Sequence, residues 1–320
     1  MMKYYLFPNY AEDKSAVIIK AHHCFGDGLA LCSIFLAMSN EFDSKNLPSL
    51  KPLTLCRKFL LWISSPYLTL ATMVRALFLT RENNNILQNK LPKSGIRTGG
   101  VSHDLDITAM KKFCQTRGCS INDYCAAVLS LVMHEYLTLN PIDDKSARLL
   151  PQDEYINVGL PFSLRQPKKK LKDLKIGNEF ASVQSELVLT DDFEKALAYQ
   201  INHYNMLKRT PSRTFGPMYA GGLTMNLPFL LPKFVMGDLT RKYSLVFTNV
   251  NASKIKYNWN GKLCSRFFVM ANGVHQVYTC VNILTIGGEM SVAINSDKAC
   301  IEDPQALCDL FAKKNRAILE

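Results

Sequence analysis

Between the apolar run Ala16-Val17-Ile18-Ile19-Lys20-Ala21 and a second one from Leu29 to Met38, the chain carries His22-His23-Cys24-Phe25-Gly26-Asp27-Gly28. The first run reads as a strand and the second as a helix, so the short polar segment is a strand-to-helix turn. Gly26 and Gly28 let the backbone turn tightly there, and Asp27 is placed to cap the helix by accepting a backbone N–H. Capping accounts for Asp27 alone. Two histidines at a strand end, expected to be buried by their apolar neighbours, are placed for acid-base work, because a neutral imidazole takes up a proton near neutral pH. The turn therefore predicts an active site.

The surrounding pattern is that of a mixed α/β chain. Residues 3–21 read as strand, polar turn at 9–14 and strand. From Phe59 to Val74 there is no charge, but the run is shorter than the roughly 20 apolar residues that cross a bilayer, and Pro66 interrupts it. Trp62 and Tyr67, flanked by Arg57, Lys58 and Arg75, fit an interfacial segment on anionic lipid, and an internal pair of core helices fits equally. The run from Leu227 to Met236 carries the same ambiguity. Residues 81–100, with three consecutive asparagines and Thr98-Gly99-Gly100, read as a linker between a first domain over 1–80 and a second over 101–320.

In the second domain Asp106 starts a helix that Gly118 ends. Ser120 and Asp123 have capping-box spacing at the head of another, which runs to Leu139, so the structural reading of Asp123 is a helix cap. Strands follow at 155–162 and 179–188, then a helix over 192–208. Further strands are expected near 244–250, 264–271, 276–285 and 289–295, with a Gly287-Gly288 hairpin turn and a last helix opened by Asp303-Pro304. Mixed strands with separated hairpins argue for an α/β sandwich over a doubly wound parallel sheet, and there is no glycine-rich phosphate loop.

Charge and cysteines narrow the partners. A formal charge of +11 suits phosphates, nucleic acid or an acidic lipid surface. No nucleic-acid-binding signature accompanies it, and Lys168-Lys169-Lys170 with Lys172 and Lys175 reads as a solvated loop, so nucleic acid is not expected. The ten cysteines form no CxxC pair and follow no secretory signal, which points to reduced thiols in a cytosol-facing, unsecreted protein with no metal site. Cys24 beside His23 is a conceivable nucleophile, disfavoured because neighbours along a strand point to opposite faces.

At His22-His23-Cys24-Phe25-Gly26-Asp27-Gly28 the chain resembles the HHxxxDG acyl-CoA-dependent acyltransferases, which include chloramphenicol acetyltransferase and peptide-synthetase condensation domains. Further landmarks are similar to the wax ester synthase/diacylglycerol acyltransferase family. They are Ile121-Asn122-Asp123, Gly159-Leu160-Pro161-Phe162-Ser163-Leu164-Arg165 (the family's PVSLR), Gly177-Asn178 before a strand, and Phe247-Thr248-Asn249-Val250 (its SNVPGP). Asn251-Ala252-Ser253 stands where that last motif continues Pro-Gly-Pro. Family members also carry a longer stretch before HHxxxDG, whereas 21 residues precede His22 here.

The resemblance implies a two-domain, chloramphenicol-acetyltransferase-like sandwich with mixed sheets and an incomplete first domain. It implies an O-acyltransferase that moves a long acyl chain from acyl-CoA, as co-substrate and with no bound cofactor, to diacylglycerol or a fatty alcohol. His23 would be the general base, His22 and Asp27 would support the turn, and Gly28 would meet a geometric requirement. Asp27 would hold the loop through an arginine, with Arg165 as the candidate. Asn122, Asp123, Thr248 and Asn249 would lie near substrate. The expected setting is peripheral, on the cytosolic face of the endoplasmic reticulum or plasma membrane. The alternative is a catalytically incomplete, membrane-associated lipid-binding relative or fragment.

Overall fold

A mixed six-stranded sheet organises the chain. The structure is a computed structural model, which describes residues 2–40, 42–47, 54–80, 82–83, 85–87, 93–140, 154–165, 173–225, 237, 240–273 and 275–320. The strands in chain order are β3 (Arg97–Ser102), β4 (Tyr155–Ser163), β5 (Phe180–Val188), β6 (Leu245–Ser253), β9 (Cys280–Ile286) and β10 (Glu289–Asp297), with β1 (Met2–Ala11), β2 (Lys14–Ala21), β7 (Asn258–Trp259) and β8 (Lys262–Leu263) in two separate hairpins. The sheet order is β3-β10-β9-β6-β4-β5. The inner pairs β4/β6 and β6/β9 are parallel and the rest antiparallel, which makes the sheet mixed, as expected.

Helices cover both faces. On one lie α3 (Ile107–Arg117), α4 (Ile121–Leu139), α5 (Phe193–Arg209) and the terminal α8 (Pro304–Leu319). There Leu129, Val132 and Met133 of α4 and Phe311 of α8 join Ile156, Val158, Phe247, Val281 and Ile283 in the main core. Burying side chains of this size stabilises by about 1.5–3 kcal/mol each. The other face carries α1 (Gly28–Ala37), whose Phe35 and Leu36 meet Ala252, Leu284, Ile286 and Tyr257. At the β5 edge of the sheet, α2 (Leu55–Val74) packs with α6 (Pro211–Thr214) and α7 (Gly216–Met225), and the latter two reach β5. The alternation of each strand sorts the two cores: Phe247 faces α4, while Val250 faces α1.

Local chemistry set the helix ends as read. Asp106 Oδ1 accepts the N–H groups of Thr108 and Ala109, both at 2.9 Å, and Gly118 closes α3 at φ 64°. Ser120 Oγ accepts the Asp123 N–H at 3.2 Å while Asp123 Oδ2 accepts the Ser120 N–H at 2.7 Å, the reciprocal cap of α4.

Three expectations need correction. Residues 264–271 form no strand: Phe267 and Val269 alternate into the α1 core from irregular backbone, and the adjacent ladder is the short β7/β8 hairpin, turned by Asn260-Gly261 at φ 50° and 77°. The apolar run after Arg57 is one helix, α2, extended by a π-turn over Arg75–Leu79, and most of it is exposed, so the core helix pair is excluded. Within 81–100, Leu87 is buried, and Asn83 Oδ1 accepts the Asn157 N–H at 2.6 Å while its amide donates to Tyr155 O at 3.1 Å. From Arg97 that stretch is edge strand β3 on β10. The 227–236 run and Lys168–Lys172 lie outside the described residues.

Candidate active site

Strand β2 ends at Ala21, and the histidines begin the turn that leads into α1. His22 Nδ1 accepts the Cys24 N–H at 3.2 Å and caps a single 3-10 turn over His23–Phe25. Cys24 is thus in a helical turn, so an argument from strand alternation does not bear on it, and its thiol is exposed. Both histidines are also exposed, against the expectation of burial. The reason is that, among the described residues, β1 and β2 pair only with each other, and no further strand covers the strand end. The His23 ring lies 5.6 Å from that of Phe180 on β5, tilted 59°, and among the described residues its nitrogens make no hydrogen bond to protein.

Behind the histidines the backbone is tied down by Asp27. Its Oδ1 accepts the Ala30 N–H at 2.9 Å and caps α1. Arg165 Nε lies 3.0 Å from both carboxylate oxygens, and an Arg165 Nη2–Oδ2 contact of 2.9 Å completes a two-pronged ion pair. Asp27 Oδ2 also accepts the Glu179 N–H at 2.8 Å. The same guanidinium donates to the carbonyls of Lys175, at 3.1 Å, and of Gly177. Asn178 donates its side-chain amide to His23 O at 2.9 Å, and the Asp27 N–H reaches Gly177 O at 3.2 Å.

Burial opposes ionisation of Asp27, and the hydrogen bonds from Arg165, Glu179 and Ala30 outweigh it, holding the carboxyl below its ordinary value. The expected Asp27–Arg165 partnership is therefore present in the geometry, and Gly177-Asn178 closes the same knot. The tight approach in the turn falls at Gly26. A Cβ there would lie 2.9 Å from the Ala30 Cβ and 3.3 Å from Gly177 O, whereas one on Gly28 would meet nothing within 4 Å. The geometric requirement assigned to Gly28 belongs to Gly26.

Residues 176–318 match the family model described as WS/DGAT C-terminal domain. The full chain is similar in structure to the wax ester synthase/diacylglycerol acyltransferase from Marinobacter aquaeolei VT8, with TM-score 0.62 and 15% identity over 100% of this chain and 70% of that one. It is equally similar to the TRI3 trichothecene 15-O-acetyltransferase from Fusarium sporotrichioides, with TM-score 0.62 and 13% identity over 98% and 70%. The epimerization domain from the third module of tyrocidine synthetase B gives 0.56 and 13% over 95% and 69%. No curated protein sequence matches the chain. The fold is that of the chloramphenicol-acetyltransferase-like acyltransferases and condensation domains.

The segment matched by that family model supplies Gly177, Asn178 and Glu179 to the knot, and the residues before it supply His23, Asp27 and Arg165. The remaining candidates divide. Asn249 on β6 donates to Asn122 Oδ1 at 2.7 Å, joining two of the sequence motifs on the α4 face of the sheet. Thr248, one residue earlier, shares the α1 face with Val250, so Thr248 and Asn249 point to opposite sides. Asp123 stays a cap, its second oxygen buried without a partner. The Asn122–Asn249 contact was not legible beforehand, because nothing local couples position 122 to position 249. Among the described residues no group of three His, Cys, Asp or Glu is arranged to hold a metal ion.

Proposed function

We propose that the protein is an O-acyltransferase in which His23 removes the proton from a lipid hydroxyl while that oxygen attacks the thioester carbonyl of a long-chain acyl-CoA. The observation that carries this reading is the knot around Asp27: segments far apart in sequence converge to fix one short turn and leave the His23 imidazole uncommitted at its tip. A catalytic base needs that combination of fixed backbone and free nitrogen. In the reaction the hydroxyl proton passes to the imidazole and a new ester C–O bond forms. The C–S bond then breaks, and the departing thiolate recovers the proton. The thioester is already activated, so alignment and a base are the main requirements and no acyl-enzyme is needed. Asp27 and Arg165 hold the loop without touching the reaction. Thr248, on the α1 face, is the candidate hydroxyl donor to the tetrahedral oxyanion.

The acceptor in this proposal is diacylglycerol, a fatty alcohol or both, which the name of the Marinobacter relative supports. These acceptors dissolve in membranes, and we place the protein peripherally on a cytosol-facing bilayer, at the endoplasmic reticulum or plasma membrane. We assign the histidine turn to the first region, over 1–80, and the WS/DGAT match to the region built on the six-stranded sheet, whose edge strand β3 begins at Arg97.

A second reading, a lipid-binding relative without turnover, draws on one observation, that both imidazoles stand open to solvent. The test uses purified chain, a radiolabelled long-chain acyl-CoA and either diacylglycerol or a long-chain alcohol in mixed micelles. Labelled neutral ester supports transfer and the alcohol that is consumed names the acceptor. Retention of acyl chains with no ester formed supports the second reading.

A further inference from the structure

Helix α2 and its π-turn, Leu55–Leu79, are long and apolar enough to cross a membrane: 25 residues rise about 37 Å against a hydrocarbon core of about 30 Å. The way the helix is held argues against crossing. Leu61 and Leu68, two turns apart, are its buried side chains, and Thr72 continues the same stripe with a 2.9 Å hydrogen bond from its hydroxyl to Ser212 O. A Cβ on Gly216 would collide with the Thr72 side chain and the Leu68 carbonyl, so α7 starts in direct backbone contact with α2. At the far end, Lys242, itself buried, donates from Nζ to Ala76 O and Leu77 O, both at 2.7 Å, and so occupies carbonyls near the helix end. The helix is thus fastened to the folded body from Leu61 to Leu77.

At 3.6 residues per turn, Leu55, Phe59, Trp62, Ile63, Tyr67, Leu70, Val74 and Phe78 fall on the side opposite that stripe, and all are exposed, Trp62 by 68% and Phe78 by 78%. Between Asp43 and Glu82 the sequence has no acidic residue and six basic ones, Lys45, Lys51, Arg57, Lys58, Arg75 and Arg81. On the helix, Lys58 is exposed beside the apolar face, whereas Arg57 lies over the Phe215 ring and Arg75 lines a cavity with Glu186 on the body side. An apolar face of this extent is too large to be left to water, and a stretch of sequence with six basic residues and no acid selects an anionic partner.

We propose that Leu55–Leu79 lies in the plane of an anionic lipid surface, with its Trp62/Leu70/Phe78 side among the acyl chains and the protein body above it, and does not span the bilayer. This docking surface is independent of the acyl-transfer reading, and its test contains no acyl-CoA, so each stands or falls alone.

The full chain is mixed with phosphatidylcholine vesicles with or without phosphatidylserine, and binding is read by co-sedimentation. Depth is read from quenching by lipids brominated at shallow or deep positions. The signal of Trp62 is taken as the difference from Trp62→Phe, and the helix centre is probed by Leu70→Trp in the Trp62→Phe background. The expected results are binding that needs phosphatidylserine, weakens in high salt and falls at least about tenfold in Phe59→Glu/Trp62→Glu/Leu70→Glu, with shallow quenching at both positions. Melting curves of the charged variant match those of the parent, because all three side chains are exposed. Equal vesicle binding by the charged variant would overturn the proposal. So would deep quenching at position 70, which marks a spanning helix, or a parent that ignores vesicles and is a dimer that the charged variant turns into a monomer, which marks a second copy as the occupant.

Discussion

Around Asp27 the chain fastens the turn through hydrogen bonds and leaves the exposed His23 imidazole unbonded to protein among the described residues; along α2 it fastens one narrow stripe and exposes a broad apolar face. Both regions are open to solvent, but their exposure means different things. A polar side chain held free at the tip of a hydrogen-bonded knot is positioned for chemistry. An apolar face held outward by its buried opposite side is positioned for a surface. The turn owes its shape to long-range pairing, and α2 owes its orientation to helix periodicity.

The contrast is sharpened most by separating rate from stability. His23→Ala is expected to lower acyl transfer by about 10²–10⁴-fold while changing stability by less than about 0.5 kcal/mol, since the ring is exposed. Asp27→Asn should do the reverse in kind: with its charge gone, the Arg165 guanidinium is left poorly compensated, and denaturant titration should show a loss of about 2–4 kcal/mol. In α2, Leu68→Ala should cost about 2–4 kcal/mol and Leu70→Ala, two residues on, less than about 0.5, read by the same titration. Gly26→Ala should destabilise by about 1–2 kcal/mol through its contact with Ala30, whereas Gly28→Ala, into open space at the first helical position, should be neutral or stabilise by up to about 1 kcal/mol.

The smallest effect is in pH. The Asp27 carboxyl is held below its ordinary value of 3.8, so the folded state gains from its ionisation above that pH and loses the gain as pH falls through the depressed folded value. Melting temperatures of the wild type should therefore drop more steeply below about pH 4 than those of Asp27→Asn. Parallel slopes would place the carboxylate outside any stabilising network.

What the sequence revealed was chemistry written within a few residues. The Ser120/Asp123 cap follows from side chains acting on their own backbone, and the Gly118 stop and the Gly287-Gly288 hairpin from glycines free to take positive φ. The Asp27–Arg165 pair, 138 positions apart, was legible only through the resemblance of its two motifs to one family. What stayed hidden depends on packing at a distance. The segment 264–271 has strand-like alternation but spends it against Phe35 and Tyr257 without a ladder partner. The histidines sit at the end of an apolar strand, yet that strand belongs to a hairpin outside the main sheet, so its neighbours do not bury them. The Asn249–Asn122 contact also stayed hidden, because register alone decides which face a strand residue takes.

The central claim, that the imidazole at position 23 serves as the base while the Asp27 knot holds it, is tested most directly by the transfer rate of His23→Ala measured with and without added imidazole. The account predicts a rate lowered by about 10²–10⁴-fold that free imidazole raises again in a saturable manner, on protein whose melting curve overlays the wild type. A His23→Ala protein that transfers acyl groups at the wild-type rate without imidazole would contradict it.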